Sequence, residues 1–186
     1  MAIERNPRDS RLRYTKECIT TSFIDLLAHK AVSDITVIEL CDKAGVSRKT
    51  FYKYYSDQFD LLRGMQEDLF EDYRERLAGL PADIFAIVPE LIRFVDENRV
   101  LMKAAFANRG EGNFVDRVIE DLYTNYAPAW RSANPQLSDE QVESLFYYVV
   151  SGLFGLVGHW LNDKPKRSAD AVIADADYLM HLSTPQ

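Results

Sequence analysis

The stretch from Ala44 to Tyr55 constrains the fold of this chain more than any other, because it contains the end of one short helix, a tight turn and the start of another. Gly45 follows a helical pattern, at a position where a left-handed residue would end that helix. Ser47 is then a favourable N-cap for the next helix. The stretch therefore predicts a helix-turn-helix unit near the N-terminus.

The second helix of this unit has two different faces, since residues four apart in a helix lie on one side. Three cations and one phenol share the polar side: Arg48, Lys49, Tyr52 and Lys53. Phe51 and Tyr55 form another stripe, which we expect to pack against a core. A short helix with an apolar back and a basic front fits the major groove of DNA.

Charge is unevenly distributed along the chain, whose net charge is −7. Residues 1–56 contain 10 Lys and Arg against 7 Asp and Glu, whereas residues 57–186 contain 12 against 22. The overall charge argues against non-specific binding of nucleic acid by the whole surface, but a basic N-terminal part allows DNA binding by that part alone. Further cations and hydrogen-bonding groups lie near the start of the first helix: Arg8, Arg11, Arg13, Tyr14, Thr15 and Lys16.

Apolar residues recur at helical spacing along most of the chain, and no segment alternates as a strand would. The pattern predicts an all-α fold of about nine helices. It divides into a three-helix helix-turn-helix domain, residues 1–57, and a helical domain, residues 58–186. Capping boxes are predicted at Thr36 with Glu39 and at Ser138 with Gln141. Pro89 predicts a kink or break in the fifth helix, and Pro128 a bend or end in the seventh.

The helix that begins at Ser138 is apolar nearly all round, so we expect it to be buried on most sides. Its most apolar run, Leu145 to Leu161, falls short of the roughly 20 residues that a membrane-spanning helix needs. The N-terminus is polar and shows no signal peptide. These features predict a soluble cytoplasmic protein with no membrane partner.

Three glycines spaced three apart lie on this same helix: Gly152, Gly155 and Gly158. Glycine inside a helix costs about 1 kcal/mol relative to alanine, so a strip of glycines is typical of places where another backbone comes close. Two interpretations stay open: close packing within one subunit, or an interface between two subunits.

Other residue patterns are less informative. The aromatic residues of helices five to eight are typical of plain core, with ligand contact as the alternative. Cys18 and Cys41 are interpreted as reduced, packed thiols, and the three histidines as structural residues. No catalytic or metal-binding spacing is present, so the sequence predicts no enzyme activity, no cofactor and no metal site.

The spaced residues of the first 62 positions resemble the signature of the TetR family of bacterial transcriptional regulators. The matching positions are Thr36-Val37, Leu40-Cys41, Ala44 to Ser47, Thr50 to Tyr52, Tyr55 and Asp60 to Leu62. The C-terminal half resembles the DhaS-like subgroup, through Phe146, Gly152, Leu153, Gly155 and Trp160. The resemblance implies a homodimeric, sequence-specific DNA-binding regulator, most often a ligand-responsive repressor that binds a palindromic operator.

The resemblance also implies roles for single residues. Arg48, Lys49 and Tyr52 resemble residues that enter the major groove, while Thr36, Lys53 and Tyr54 resemble phosphate contacts. Ser47 and Thr50 complete the expected DNA-binding set. At Gln58 the family usually has a lysine, so a phosphate contact there would be weaker.

For the C-terminal half, the resemblance implies ligand binding and dimerisation. The residues expected to contact an effector of unknown identity are Phe94, Phe106, Tyr123, Tyr126, Trp130 and Tyr147. The residues expected at the dimer interface are Gly152, Gly155, Leu156, His159, Trp160 and Tyr178. The alternative function is a helix-turn-helix adaptor or activator that is regulated by a protein partner rather than by a small molecule.

Overall fold

A computed structural model of the chain describes residues 7–107, 113–164 and 166–183. Within these ranges the chain is helical, with one short 3₁₀ turn at Val32–Asp34 and no strand, which confirms the all-α prediction. The helices are α1 (Pro7–Leu27), α2 (Val37–Ala44), α3 (Arg48–Phe51), α4 (Gln58–Leu77), α5 (Ile84–Glu97), α6 (Arg99–Ala107), α7 (Phe114–Ala133), α8 (Asp139–Trp160) and α9 (Ala169–Ser183).

The chain divides into two compact units, with the division after Asp68. This position lies inside α4, eleven residues beyond the functional boundary predicted at residue 57, which stays a prediction. In the N-terminal unit α1 packs on α2, and α2 on α3. Its core side chains are completely shielded from solvent: Ile19, Phe23, Leu40, Phe51 and Leu61.

Thr36 caps α2, but the predicted capping box is only half formed. The Thr36 hydroxyl accepts a hydrogen bond from the Glu39 backbone N–H at 3.2 Å. The Glu39 carboxylate instead accepts hydrogen bonds from Lys30 Nζ, at 2.6 Å to both oxygens. An ammonium group within reach is a stronger partner for a carboxylate than a backbone amide. At α8 the box between Ser138 and Gln141 is complete, as predicted.

The turn between α2 and α3 has the predicted geometry, since Gly45 has φ 65° and ends α2 in the left-handed region. α3 is shorter than the sequence indicated, however, with only four residues in α-helical geometry. Beyond Phe51 the backbone continues in tight turns, in which Tyr54 N–H donates to the Phe51 carbonyl at 2.9 Å. Lys53 therefore lies on a turn after the helix and not on its face, contrary to the four-residue spacing argument.

In the C-terminal unit α5 packs on α9, α7 on α8, and α8 on α9. Large side chains fill the centre of this unit: Phe94, Phe114, Trp130, Phe146 and Trp160. The two prolines do not break their helices, because α5 continues through Pro89 and α7 continues through Pro128. Each proline removes one backbone donor from its helix, and the surrounding packing offsets that loss.

The expectation that α8 is buried on most sides is wrong. Val142, Phe146, Val149 and Val150 face the core, but Tyr147 and Tyr148 on the opposite side are exposed. By length and composition α8 is the one described helix that is long and apolar enough to cross a membrane, and 22% of its apolar stretch is buried in the structure. α8 therefore keeps an exposed apolar side that this chain alone does not cover.

Replacing Gly45 by alanine tests the turn. A Cβ at a left-handed position costs about 1 kcal/mol, so we expect Gly45→Ala to lower the free energy of unfolding by that amount. Gly64→Ala is the matched control, because Gly64 is helical and an added Cβ would lie 3.6 Å from Tyr55 Cε1, an ordinary contact. That variant should gain up to about 1 kcal/mol from helix propensity. Urea unfolding of both proteins checks the pair, and equal effects in one direction would contradict the turn geometry.

Candidate functional site

The candidate nucleic-acid interface begins at Ser47, which fixes the start of α3. Its hydroxyl accepts from the Thr50 N–H at 3.1 Å and lies 2.8 Å from the Thr50 hydroxyl. These bonds satisfy an otherwise unpaired amide at the helix start. Ser47 and Thr50 thus have a clear local role in shaping α3, and contact of either residue with DNA stays a prediction.

Three exposed cations lie in and just after α3. Arg48, Lys49 and Lys53 are exposed, and none has an ion pair with any residue in the described ranges. Three other cations of the unit are neutralised within it: Lys30 by Glu39, Lys43 by Asp25, and Arg63 by Asp60. Positive charge without an ion pair among the described residues therefore lies in and just after α3 and also on α1, at Arg13 and Lys16. Sequence alone does not separate such cations from paired ones.

Tyrosines lie among these cations. Tyr52 is 57% exposed, whereas Tyr54 is half-buried, with Lys16 Nζ of α1 at 5.9 Å from the centre of its ring. Lys16 belongs to the basic group near the start of α1, of which Arg13 and Tyr14 are also exposed. Arg8 and Arg11 lie at positions whose side chains are outside the described part of the structure. α1 thus brings at least one cation to the edge of the candidate interface.

Phe51 and Tyr55 lie on the apolar side of α3, which packs against the core of the N-terminal unit. Phe51 is completely buried, and its ring centre lies 5.8 Å from that of Tyr55. Burial raises the pKa of the Tyr55 hydroxyl, which is the effect expected of a phenol removed from water. The apolar stripe proposed from the sequence is therefore present, and it directs the opposite side of α3 to solvent.

The remaining predicted contacts lie at the starts of two other helices. Thr36 is the exposed N-cap of α2, and half-buried Gln58 begins α4. Two carboxylates flank Gln58: Asp57 accepts from the Asp60 N–H at 2.8 Å, and Asp60 accepts from the Ser56 N–H at 2.8 Å. The hydrogen bond from Ser56 lowers the pKa of Asp60, which favours its charged form. A phosphate would meet negative charge here, which agrees with a weak contact at Gln58.

The C-terminal unit contains an apolar cavity of about 60 Å³ with no polar lining surface. Phe94 and Phe106 line it, as expected for two of the six predicted ligand contacts. Sequence reasoning missed other lining residues, among them Ile92, Met102, Leu122, Leu153 and Phe154. These residues have the same apolar character as ordinary core, so no sequence signal separates them from it.

The other four predicted ligand contacts do not line this cavity. Tyr123 stacks on Tyr147 with ring centres 5.5 Å apart, and Trp130 packs edge-on against Phe146 at 5.4 Å. Tyr126 lines a separate pocket of about 270 Å³, which we call the polar pocket. Its main lining residues are Arg74, Leu77, Leu80, Asp121, Asn125 and Tyr126. The six residues therefore do not form one site, and their ligand role stays a prediction.

The three glycines of the α8 strip lie in two different surroundings. A Cβ on Gly158 would lie 3.2 Å from Phe106 Cδ1, so this glycine allows close packing within the subunit. A Cβ on Gly152 or Gly155 would meet nothing within 4 Å. Gly158 thus packs within the subunit, as the first of the two interpretations has it. Gly152 and Gly155 face open surface, and their place at an interface between subunits stays a prediction.

The open side of α8 continues onto α9 as an exposed apolar surface. Tyr148, Tyr178 and Leu182 are 70%, 65% and 66% exposed. His159 also lies on this side with its side chain 80% exposed, and Leu156 is half-buried. Five of the six residues predicted at a dimer interface are therefore at least partly accessible.

Trp160 is the exception, and its assignment to the dimer interface is wrong. Its side chain is completely buried, and its Nε1–H donates to the Arg167 carbonyl at 2.9 Å. The guanidinium of Arg99 lies 4.8 Å from the ring centre and donates to the Trp160 carbonyl at 2.6 Å. Trp160 thus stabilises the turn between α8 and α9 from inside the subunit.

A small helix-turn-helix unit followed by a larger all-helical unit defines a class of proteins, the helix-turn-helix transcriptional regulators. A TetR family model described as "Transcriptional regulator C-terminal region" matches residues 83–182, more than half of the chain. The chain belongs to the TetR family of transcriptional regulators, as the N-terminal resemblance predicted. No group of three or more metal-binding side chains occurs among the described residues.

Two curated relatives are similar in sequence. The chain is 26% identical over 171 residues to the uncharacterized HTH-type transcriptional regulator YxbF of Bacillus subtilis, covering 83% of this chain and 41% of that protein. It is 30% identical over 95 residues to the dhaKLM operon transcriptional activator DhaS of Lactococcus lactis, covering 50% of this chain and 49% of that protein. The matched region thus spans less than half the length of either relative.

Solved structures share the fold. A TetR transcriptional regulator from Streptococcus agalactiae has a TM-score of 0.68 at 20% identity, covering 92% of this chain and 96% of that chain. The dihydroxyacetone kinase operon activator DhaS has a TM-score of 0.61 at 20% identity, covering 90% of this chain and 94% of that chain. At these identities the likeness establishes the fold.

The Trp160→Phe variant tests the internal role of Trp160. It leaves the Arg167 carbonyl without its donor and empties part of a buried site, so we expect a loss of about 1–3 kcal/mol in the free energy of unfolding. Tyr178→Phe changes an exposed aromatic residue on α9 and should stay within about 0.5 kcal/mol of the parent. Urea unfolding at several protein concentrations makes the comparison, and a Trp160→Phe variant as stable as the parent would contradict the burial.

Proposed function

We propose that this TetR family regulator binds double-stranded DNA sequence-specifically through α3 and the turn after it. The observation that carries the proposal is the group of exposed cations Arg48, Lys49 and Lys53, none of which has an ion pair within the described chain. Exposed cations of this kind contribute little to the stability of the folded unit. It gains affinity for a polyanion by releasing counterions from phosphate.

The geometry of α3 supports a division of roles among these residues. Arg48 and Lys49 lie in the first turn of α3, the part that reaches base edges in helix-turn-helix proteins. An arginine or lysine there suits guanine O6 and N7, and the exposed Tyr52 supplies a further hydrogen-bonding group. Lys53 and Tyr54, on the turns after α3, and Thr36, at the start of α2, are proposed to contact phosphates.

We further propose that the protein acts as a homodimer, with the exposed side of α8 and α9 as its interface. Gly152 and Gly155 allow a second backbone to approach closely, and Tyr148 and Tyr178 supply apolar area around them. TetR family regulators bind DNA and dimerise. Two copies related by a two-fold axis would bind the two half-sites of a palindromic operator.

The regulatory proposal is a ligand-responsive repressor in the cytoplasm, without enzyme activity. A ligand that favours one arrangement of the dimer would shift the population away from the DNA-binding arrangement. The apolar cavity of the C-terminal unit supports this proposal, and at about 60 Å³ its present volume holds only a small apolar group. A larger effector would have to enlarge it, since pockets for drug-sized ligands measure about 300–1,000 Å³.

One observation favours the alternative of an adaptor or activator that is regulated by a protein partner. Ile24 on α1 and Ile38 on α2 are 39% and 56% exposed in the N-terminal unit. Apolar side chains at a surface are typical of contact sites when they form a contiguous patch. A partner that binds these two residues would regulate the protein without a ligand in the cavity.

Arg48→Ala tests the DNA-binding proposal. We expect affinity for DNA selected from a random pool to fall about 5- to 150-fold, because about 1–3 kcal/mol of base discrimination depends on such a side chain. Arg63→Ala is the matched control, since Arg63 is paired with Asp60 at 3.1 Å and should lose little affinity. Gel-shift titrations measure both variants. Unchanged binding by Arg48→Ala would refute the assigned role of this residue.

Gly155→Glu tests the dimer. A Cβ at Gly155 meets no atom within 4 Å in the subunit, so the variant should fold normally but carry a buried charge at the proposed interface. We expect it to be monomeric under conditions in which the parent is dimeric, as measured by sedimentation equilibrium. Ser132→Glu, an exposed position on α7, is the control and should remain dimeric. A dimer of unchanged affinity in Gly155→Glu would place the interface elsewhere.

A further inference from the structure

The polar pocket of the C-terminal unit, defined above, contains a carboxylate that is unusually well fixed. Asp121 has only 19% of its side chain exposed. Its Oδ2 accepts a hydrogen bond from the Tyr73 hydroxyl at 3.0 Å. Tyr73 is itself buried, and burial together with the Asp121 charge raises the pKa of its hydroxyl above the usual range, so that it stays a donor. This bond holds the carboxylate in one orientation.

The other oxygen of Asp121 is available for binding. Oδ1 has no hydrogen bond within the described chain, and its nearest cation is Arg74 Nε at 3.5 Å. The Arg74 side chain is 56% exposed, so this ion pair is weak and the guanidinium is free to move. At Asp121 Oδ1 the cationic group of a ligand can therefore replace the guanidinium of Arg74.

Two further polar groups converge on the same pocket. Tyr126 is 7% exposed and lines it, and its hydroxyl has no hydrogen-bond partner in the ranges that the structure describes. Asn125 donates its amide N–H to the Asp121 carbonyl at 2.7 Å, which leaves its amide oxygen as an acceptor. The Tyr126 hydroxyl is not among the buried polar atoms that lack a partner, so its oxygen is accessible from the pocket and free to bond to water or a ligand there.

The floor of the polar pocket is apolar, formed by Leu77 and Leu80 with two alanines. Its volume of about 270 Å³ suits a molecule smaller than a drug-sized ligand. The lining thus combines a fixed carboxylate and other acceptors, apolar carbon, and one guanidinium that is largely exposed to solvent. This arrangement selects a ligand that brings hydrogen-bond donors, positive charge and a short hydrocarbon part.

We propose that the polar pocket is a binding site for a small organic ammonium compound with a short apolar tail. The ammonium group donates to Asp121 Oδ1, the Asn125 amide oxygen and the Tyr126 hydroxyl, and the tail lies on Leu77 and Leu80. Oδ2 keeps its bond to Tyr73, so binding requires no rearrangement of the contact between α4 and α7. Arg74 either moves into solvent or, if the ligand also carries a carboxylate, pairs with that group.

This site is separate from the apolar cavity and needs neither DNA nor a dimer. Tyr73 does connect the apolar cavity with the polar pocket, since it lines the cavity while its hydroxyl donates a hydrogen bond to Asp121. The proposal therefore goes beyond the proposed function, and a test of binding alone distinguishes its failure from a failure of DNA recognition.

The test uses three probes that share one isobutyl tail: 3-methylbutylamine, L-leucine and 4-methylpentanoate. Isothermal titration at neutral pH and low salt measures the affinity of the full-length protein for each. We expect both ammonium compounds to bind and 4-methylpentanoate not to bind, because its carboxylate would face Asp121. Tighter binding of leucine would identify a zwitterionic ligand that keeps Arg74 paired, and tighter binding of the amine would identify a simple ammonium ligand.

Asp121→Asn provides the decisive variant, since its amide oxygen can still accept from Tyr73. We expect its affinity for the ammonium probe to fall at least about tenfold, the effect of losing a charged hydrogen-bond acceptor. Glu120→Gln removes the neighbouring exposed carboxylate and should bind as the parent does. Tyr126→Phe, which removes only the hydroxyl, should weaken binding by a smaller factor and serves if Asp121→Asn does not fold. No binding of either ammonium probe at millimolar concentration, equal binding of the anion, or unchanged affinity in both pocket variants would overturn the proposal.

Discussion

The N-terminal unit depends on one local constraint, the left-handed turn at Gly45 followed by the burial of Phe51. The turn ends α2 and allows Ser47 to cap α3 two residues later. Phe51 then fixes the rotation of α3, because its side chain is completely shielded in the core. Since a helix has only one buried side, this anchor determines that Arg48 and Lys49 face solvent. The proposed chemistry of the interface follows from that rotation.

The C-terminal unit depends on a different interaction, the burial of Trp160 at the turn between α8 and α9. Trp160 is buried there between its hydrogen bond to the Arg167 carbonyl and the guanidinium of Arg99. Arg167 in turn pairs with Asp163 at 2.8 Å and with Asp175 at 2.6 Å, and the first of these contacts lowers the pKa of Asp163. This network connects the end of α8 to α9. It holds together the two helices whose exposed sides are proposed to meet a second copy.

Much of the fold could be predicted from the sequence, because its signals are local. The left-handed Gly45, the caps at Ser47 and Ser138, and the helical spacing of apolar residues each depend on neighbours within a few positions. Predictions failed where a distant residue decided the outcome. The Glu39 carboxylate binds Lys30 instead of completing the expected capping box. α3 ends at Phe51, so that Lys53 lies on a turn. No pattern within either segment contains that information.

The same distinction between local signals and distant contacts applies to the candidate sites. The basic residues of α3 were found because charge and spacing are visible in the sequence, and the structure adds that these cations are unpaired. The ligand residues were poorly predicted because core and cavity use the same apolar side chains. Trp160 was misplaced because it lies beside the glycine strip in the sequence, while its burial depends on Arg99 and Arg167. Only Tyr126 of the polar pocket was predicted, since Tyr73 and Arg74 come from a helix far from Asp121 in the chain.

The central claim is that two copies of α3 bind two half-sites of one DNA sequence. Hydroxyl-radical footprinting on DNA selected from a random pool tests it most directly. The account predicts two protected half-sites related by two-fold symmetry, with centres about 10–10.5 base pairs apart or a multiple of that spacing. A single protected site without symmetry, or a selected pool with no shared sequence, would contradict it.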